Sequence, residues 1–180
     1  MRTLYKVADA IDFIIDCTGR VLVWTMPLVV VIAAAVVILR YGFNTGFPWL
    51  SEAFVWLNGA IFTLGAAYLM RTDSHVRVDV LYSRLPPRGK ALVNIVGVLI
   101  LLWPSMYVIA VGGWPSVARS LASREHSPTM DGLPFLYALK LCVPLFCALV
   151  SLQGLSLFIR SLGTLTGSDR PLRDAKGARP

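Results

Sequence analysis

RTDSHVRVDVLYSRLPPRGK, residues 71–90, is the most polar stretch in the middle of the chain and separates two long apolar runs. It carries five Lys and Arg: Arg71, Arg77, Arg84, Arg88 and Lys90. A short basic connection of this kind stays on the cytoplasmic side of a membrane, because moving it across is costly. Once its side is fixed, so is the side of every other segment.

The surrounding composition demands a membrane. In a chain of 180 residues, 56% are hydrophobic and only 15% charged, with a mean hydropathy of +0.67, which is too apolar for a soluble domain of this length. The formal net charge of +7 could suggest nucleic acid in a soluble protein. Here the basic residues sit in tails and short connections, where they act as topology determinants and headgroup contacts, and no nucleic-acid partner is expected. Cys17, Cys142 and Cys147 form no metal or redox pattern and read as buried, inert thiols. The N-terminus lacks the form of a cleaved signal peptide, so the first span is expected to remain.

Working outward, the fold class is an all-α integral membrane protein with four transmembrane helices and an N-terminal amphipathic interfacial helix, both termini cytoplasmic. Residues 1–20 form the interfacial helix. Leu4, Val7, Ala8, Ile11, Ile14 and Ile15 lie on one stripe and Asp9, Asp12 and Asp16 on another, at a period near 3.6. Its polar face is acidic, so attraction to anionic lipid is not what holds it; interfacial packing or docking on a partner are the two readings.

Residues 21–162 form the four-helix domain, with spans at about 21–39, 53–70, 91–113 and 139–159. The first follows from nineteen uncharged residues between Arg20 and Arg40, enough to cross a core of roughly 30 Å. Pro27 predicts a kink there. In the second, Asn58, Gly59, Thr63, Gly65, Ala66 and Ala67 allow another helix to approach closely. The third predicts a kink near Pro104 and an end near Val111–Trp114, where Gly112-Gly113-Trp114-Pro115 interrupts the run. Pro144 lies close to the start of the fourth. Residues 163–180 read as a disordered cytoplasmic tail. Thirteen Lys and Arg fall in the first, third and fifth polar segments and four in the other two, which places both termini in the cytoplasm.

Apart from Lys140 at the very start of the fourth span, none of the four apolar cores contains Asp, Glu, Lys, Arg or His. Transporters that couple ions usually keep such a group near mid-membrane, so coupled transport by this chain alone is disfavoured. His75 and His126 fall in connections on opposite predicted sides and cannot ligate one haem iron. No hydrolase, zincin, phosphate-loop or dinucleotide motif is present, so neither an enzyme nor a cofactor is expected. The polar residues at span ends remain: Glu52, the run His75-Val76-Arg77-Val78-Asp79, and Glu125 with Ser127. They read as turns that pin the spans or as a docking surface. A stand-alone four-helix transporter or channel, and a membrane anchor for a redox enzyme, are the competing classes.

Several residues taken in order carry a resemblance: Glu52 and Trp56 opening span two, AYLMR ending it, HVRVD at 75–79, LPPR at 85–88, Gly112-Gly113-Trp114, Glu125-x-Ser127, and Pro144 followed by LQGL at 152–155. Over roughly Val21–Leu162 the chain resembles the small permease subunit of tripartite ATP-independent periplasmic (TRAP) transporters. The resemblance implies a multi-pass protein of the bacterial inner membrane. It would scaffold a large permease subunit that holds the solute and ion sites, with a periplasmic solute-binding protein delivering a carboxylate-type solute and a sodium gradient driving uptake. It also implies structural or interface roles for Glu52, Trp56, His75, Arg77, Asp79 and Glu125, with no substrate ligand in this chain.

Overall fold

The computed structural model describes residues 2–72 and 85–167. Its described residues are helical, with no strands. We label the helices α1 (Arg2–Gly42), α2 (Pro48–Arg71), α3 (Pro87–Val96), α4 (Trp103–Ser123) and α5 (Leu136–Leu165), with a π-helical segment, Gly97–Leu102, joining α3 to α4. Four stretches are long and apolar enough to cross a membrane: Thr3–Gly42, Pro48–Arg71, Pro87–Ser123 and Leu136–Leu165. Large apolar side chains such as Val30, Phe62, Leu101 and Val108 stand exposed along them, as lipid-facing surfaces require.

α2 begins at Pro48 and α5 runs Leu136–Leu165, both longer than the expected 53–70 and 139–159, and two boundaries differ more deeply. The interfacial helix and the first span are one helix, α1, with Pro27 inside it. Expected to end near Val111–Trp114, the third span instead runs on to Ser123 through Pro115. A helix in an apolar medium has no better alternative for its backbone groups than to continue past a single missing bond. The signal at Pro104 is answered by the π segment. Pro104 cannot donate to Ile100, and its ring would crowd that carbonyl in a regular turn; the chain widens, and Trp103 N–H bonds back five residues to Val98.

Contacts divide the described chain into two compact units. The described residues of the first are 2–16, 67–72, 85–109 and 147–167, with the second half of α5 as its hub. Here α5 buries Cys147, Val150, Gln153, Gly154, Ser156, Ile159, Ser161 and Gly163. From α1, Tyr5, Ala8, Ile11 and Ile15 are buried, whereas Leu4, Val7 and Ile14 of the expected stripe are exposed. Small residues allow the close approach: Ala8 and Ser156 are fully covered, and a Cβ on Gly163 would run into the Tyr5 hydroxyl. The π segment packs on Gly154, where a Cβ would lie 2.8 Å from Leu102 Cδ2. Beside it the Trp103 and Phe158 rings stand 6.0 Å apart.

The second unit comprises residues 17–66 and 110–146. A Cβ on Gly59 would meet Leu139 Cδ1 at 3.7 Å and one on Gly65 would meet Leu22 Cδ1 at 3.9 Å, ordinary van der Waals contact, so neither glycine is demanded by an approach too close for alanine. Cys17 is exposed on α1, against the expectation of a buried thiol; Cys147, in the first unit, is buried.

In the second unit α4 ends in a Schellman motif: Glu125 N–H bonds Ser120 O at 3.0 Å and Arg124 N–H bonds Leu121 O at 3.3 Å. Arg124 therefore sits at φ 46°, a left-handed conformation that Gly adopts without strain. Arg124→Gly is expected to raise stability by about 0.5–1 kcal/mol, read as an upward shift in thermal unfolding of the detergent-purified chain. An unchanged or lower midpoint would contradict this assignment of strain.

Candidate functional site

Two polar clusters hold the charged residues that the helices bring together, one in each unit. The first begins with the acidic stripe of α1. Three and then four residues apart, Asp9, Asp12 and Asp16 lie along one side of the helix. Arg160 of α5 reaches two of them, its Nη2 donating to Asp9 Oδ1 at 2.7 Å and to Asp12 Oδ2 at 2.6 Å. Ser156, one turn earlier on α5, donates to Asp12 Oδ1 at 2.7 Å. Arg71, the last residue of α2, pairs with Asp16 and lies 4.0 Å from Asp12. Asp12 is the centre of the cluster and its most covered acid, with 15% of its side chain exposed, against 57% for Asp9.

The acidic stripe, for which the sequence left interfacial packing or docking on a partner as the two readings, pairs with groups of this same chain. Its partners were out of reach of periodicity, since Arg160 lies 148 residues from Asp12. A cue was present: Arg71 and Arg160 each terminate an apolar run, and the three acids precede the first run on the same expected side of the membrane.

The second cluster is built on Glu52, in the second turn of α2. The connection between α4 and α5 closes on itself, with Ser127 N–H donating to Leu133 O at 3.2 Å. The same Ser127 presents its hydroxyl to Glu52, and Leu133 N–H donates to Glu52 Oε2 at 2.8 Å. Gly132 makes room for the carboxylate: a Cβ there would lie 2.8 Å from both Glu52 oxygens and from Ser127 Cβ. Nearby, Lys140 Nζ donates to Glu125 Oε2 at 2.5 Å. The Lys140 hydrogen bond, followed by that of Ser120, holds the Glu125 carboxyl below its usual range. That pair therefore persists as pH falls until Glu125 itself protonates, below the range of a free glutamate.

Of the residues singled out from sequence, Glu52 and Ser127 meet directly, and Glu125 is tied to Lys140. Trp56, one turn beyond Glu52 on α2, is half-buried. His75, Arg77 and Asp79 lie outside the described residues. Missed entirely were Lys140, Arg160 and Ser156 as partners, and the buried Gln153 of LQGL, whose side-chain oxygen has no partner among the described residues.

Residues 29–164 match the family model described as tripartite ATP-independent periplasmic transporters, DctQ component. A Haemophilus influenzae protein named as a TRAP transporter small permease is 34% identical over 102 residues, which cover 54% of this chain and 58% of that relative. The chain therefore aligns with little more than half of the relative's length. No solved structure matches.

Proposed function

Because this chain belongs to the family of DctQ components of tripartite ATP-independent periplasmic transporters, we propose that it is the static membrane scaffold of such a system. A larger permease subunit carries the solute and the coupling sodium, and a periplasmic binding protein delivers a carboxylate-type solute. One observation carries the scaffold reading. All four carboxylates within the described helices, Asp9, Asp12, Asp16 and Glu52, are taken by groups of this same chain. A subunit that handled cargo or ions would keep such a group available in the membrane interior.

The topology that goes with this role places both termini in the cytoplasm. It is supported by the ion pairs of the first unit, which gather the start of α1, the end of α2 and the end of α5. It is also supported by the excess of Lys and Arg in the segments those ends lead into.

The test is reconstitution. The tagged chain co-expressed with a large permease subunit is expected to co-purify with it, and sodium-driven uptake in proteoliposomes is expected to need both subunits and the binding protein. Solute flux through the chain alone would overturn the proposal. In the same assay Arg77→Ala or Asp79→Ala is expected to lower uptake through lost assembly, with the binding protein's solute affinity unchanged. A changed solute preference with intact assembly would contradict an interface role for HVRVD.

A further inference from the structure

The turn between α1 and α2 shapes a cavity of about 270 Å³ whose lining includes Val36, Leu39, Arg40, Phe47, Leu50 and Ser51. Its lining mixes apolar and polar residues, and its one charge is the guanidinium of Arg40, in the last turn of α1. No carboxylate lines it. The acid next in sequence, Glu52, spends its oxygens on Ser127 and on Leu133 N–H. Arg40 is exposed and makes no ion pair among the described residues.

We propose that this cavity is a binding site for the phosphate headgroup and first methylenes of an anionic phospholipid. Charge decides the class of ligand: an unneutralised guanidinium beside the hydroxyl of Ser51 favours a phosphate, while the Thr45 hydroxyl donates to Phe43 O at 3.1 Å. The apolar members of the lining decide its source. Val36, Leu39 and Leu50 offer a freely soluble anion nothing, whereas they match the start of an acyl chain. Size agrees, because the cavity lies at the small end of ligand sites and suits a headgroup with its first methylenes better than a whole solute. Position agrees too, since Arg40 ends an apolar run and so stands where a membrane presents its phosphates. The site goes beyond the scaffold role and does not depend on it.

The experiment is native mass spectrometry of the full chain released from nanodiscs of phosphatidylethanolamine and phosphatidylglycerol, with phosphatidylglycerol retention as the readout. Wild type is expected to retain one phosphatidylglycerol in preference to phosphatidylethanolamine. Arg40→Gln is expected to reduce that retention about tenfold, the scale of one lost charge-assisted pair. Arg40→Lys should keep part of it, because charge survives without the bidentate fork. Ser51→Trp, which leaves Arg40 in place but fills the cavity, is expected to abolish the preference. Equal retention by wild type and Arg40→Gln would overturn the site. So would an unaffected Ser51→Trp, which would reduce Arg40 to a charge at the bilayer surface, or displacement of the lipid by millimolar inorganic phosphate, which would make the ligand a soluble anion.

Discussion

Arg160→Ala is expected to destabilise the chain by about 3 kcal/mol, the largest effect of any single side chain outside the apolar core. The cost has two parts. Removing the guanidinium breaks the bonds to Asp9 and Asp12, and it leaves Asp12, 15% exposed, as a largely desolvated carboxylate with only Ser156 and the more distant Arg71 to answer it. The second part dominates, and that makes the prediction specific. Asp12→Ala in the Arg160→Ala background should recover part of the loss, whereas two independent structural defects would add. Thermal unfolding in detergent of the wild type, both single variants and the double variant measures the coupling. A double variant as unstable as the sum of the singles would show that the α1–α5 ion pairs contribute no net coupling.

The same cluster shows how far sequence reasoning reached. Four apolar runs flanked by basic residues sufficed to read four membrane helices, because span length and the cost of translocating Lys and Arg are local properties. The fate of Asp9, Asp12 and Asp16 was not local. Periodicity put them on one side of a helix but could not say that α5 would present Arg160 to that side. Pro115 misled for a related reason: the rule that proline ends a helix weighs a lost hydrogen bond against solvent, and within an apolar run there is no solvent to compete. Pro104 was read at the right place, yet the form of the response, a π segment seated on Gly154, depends on how α5 packs there. Glu52, Glu125 and Ser127 stood out as polar groups at span ends, but that Ser127 belongs with Glu52 and Glu125 with Lys140 emerges only when the connection folds over α2.

The second large effect follows from that fold-over. Glu52→Ala is expected to lower the thermal unfolding midpoint of the detergent-purified chain, because it strands Leu133 N–H and the Ser127 hydroxyl, both donors to one charged acceptor. Glu52→Gln keeps an acceptor oxygen for one donor but turns an amide N–H₂ toward the other, so it should lose about half as much. Gly132→Ala leaves the acid intact and should still reproduce much of the Ala phenotype, because its Cβ would press on both carboxylate oxygens. Hydrogen exchange over residues 125–135, compared with exchange over α5, separates this latch from general unfolding: the connection should lose protection in all three variants while the second half of α5 keeps it. If Glu52 instead served a passing ion, Glu52→Gln would change the sodium dependence of the reconstituted transporter and leave protection of the connection unaltered. That result would move Glu52 from the framework of the subunit to its chemistry. The order Ala, then Gly132→Ala, then Gln in lost protection, with sodium dependence constant throughout, is what a carboxylate used only to hold the α4–α5 connection against α2 must give.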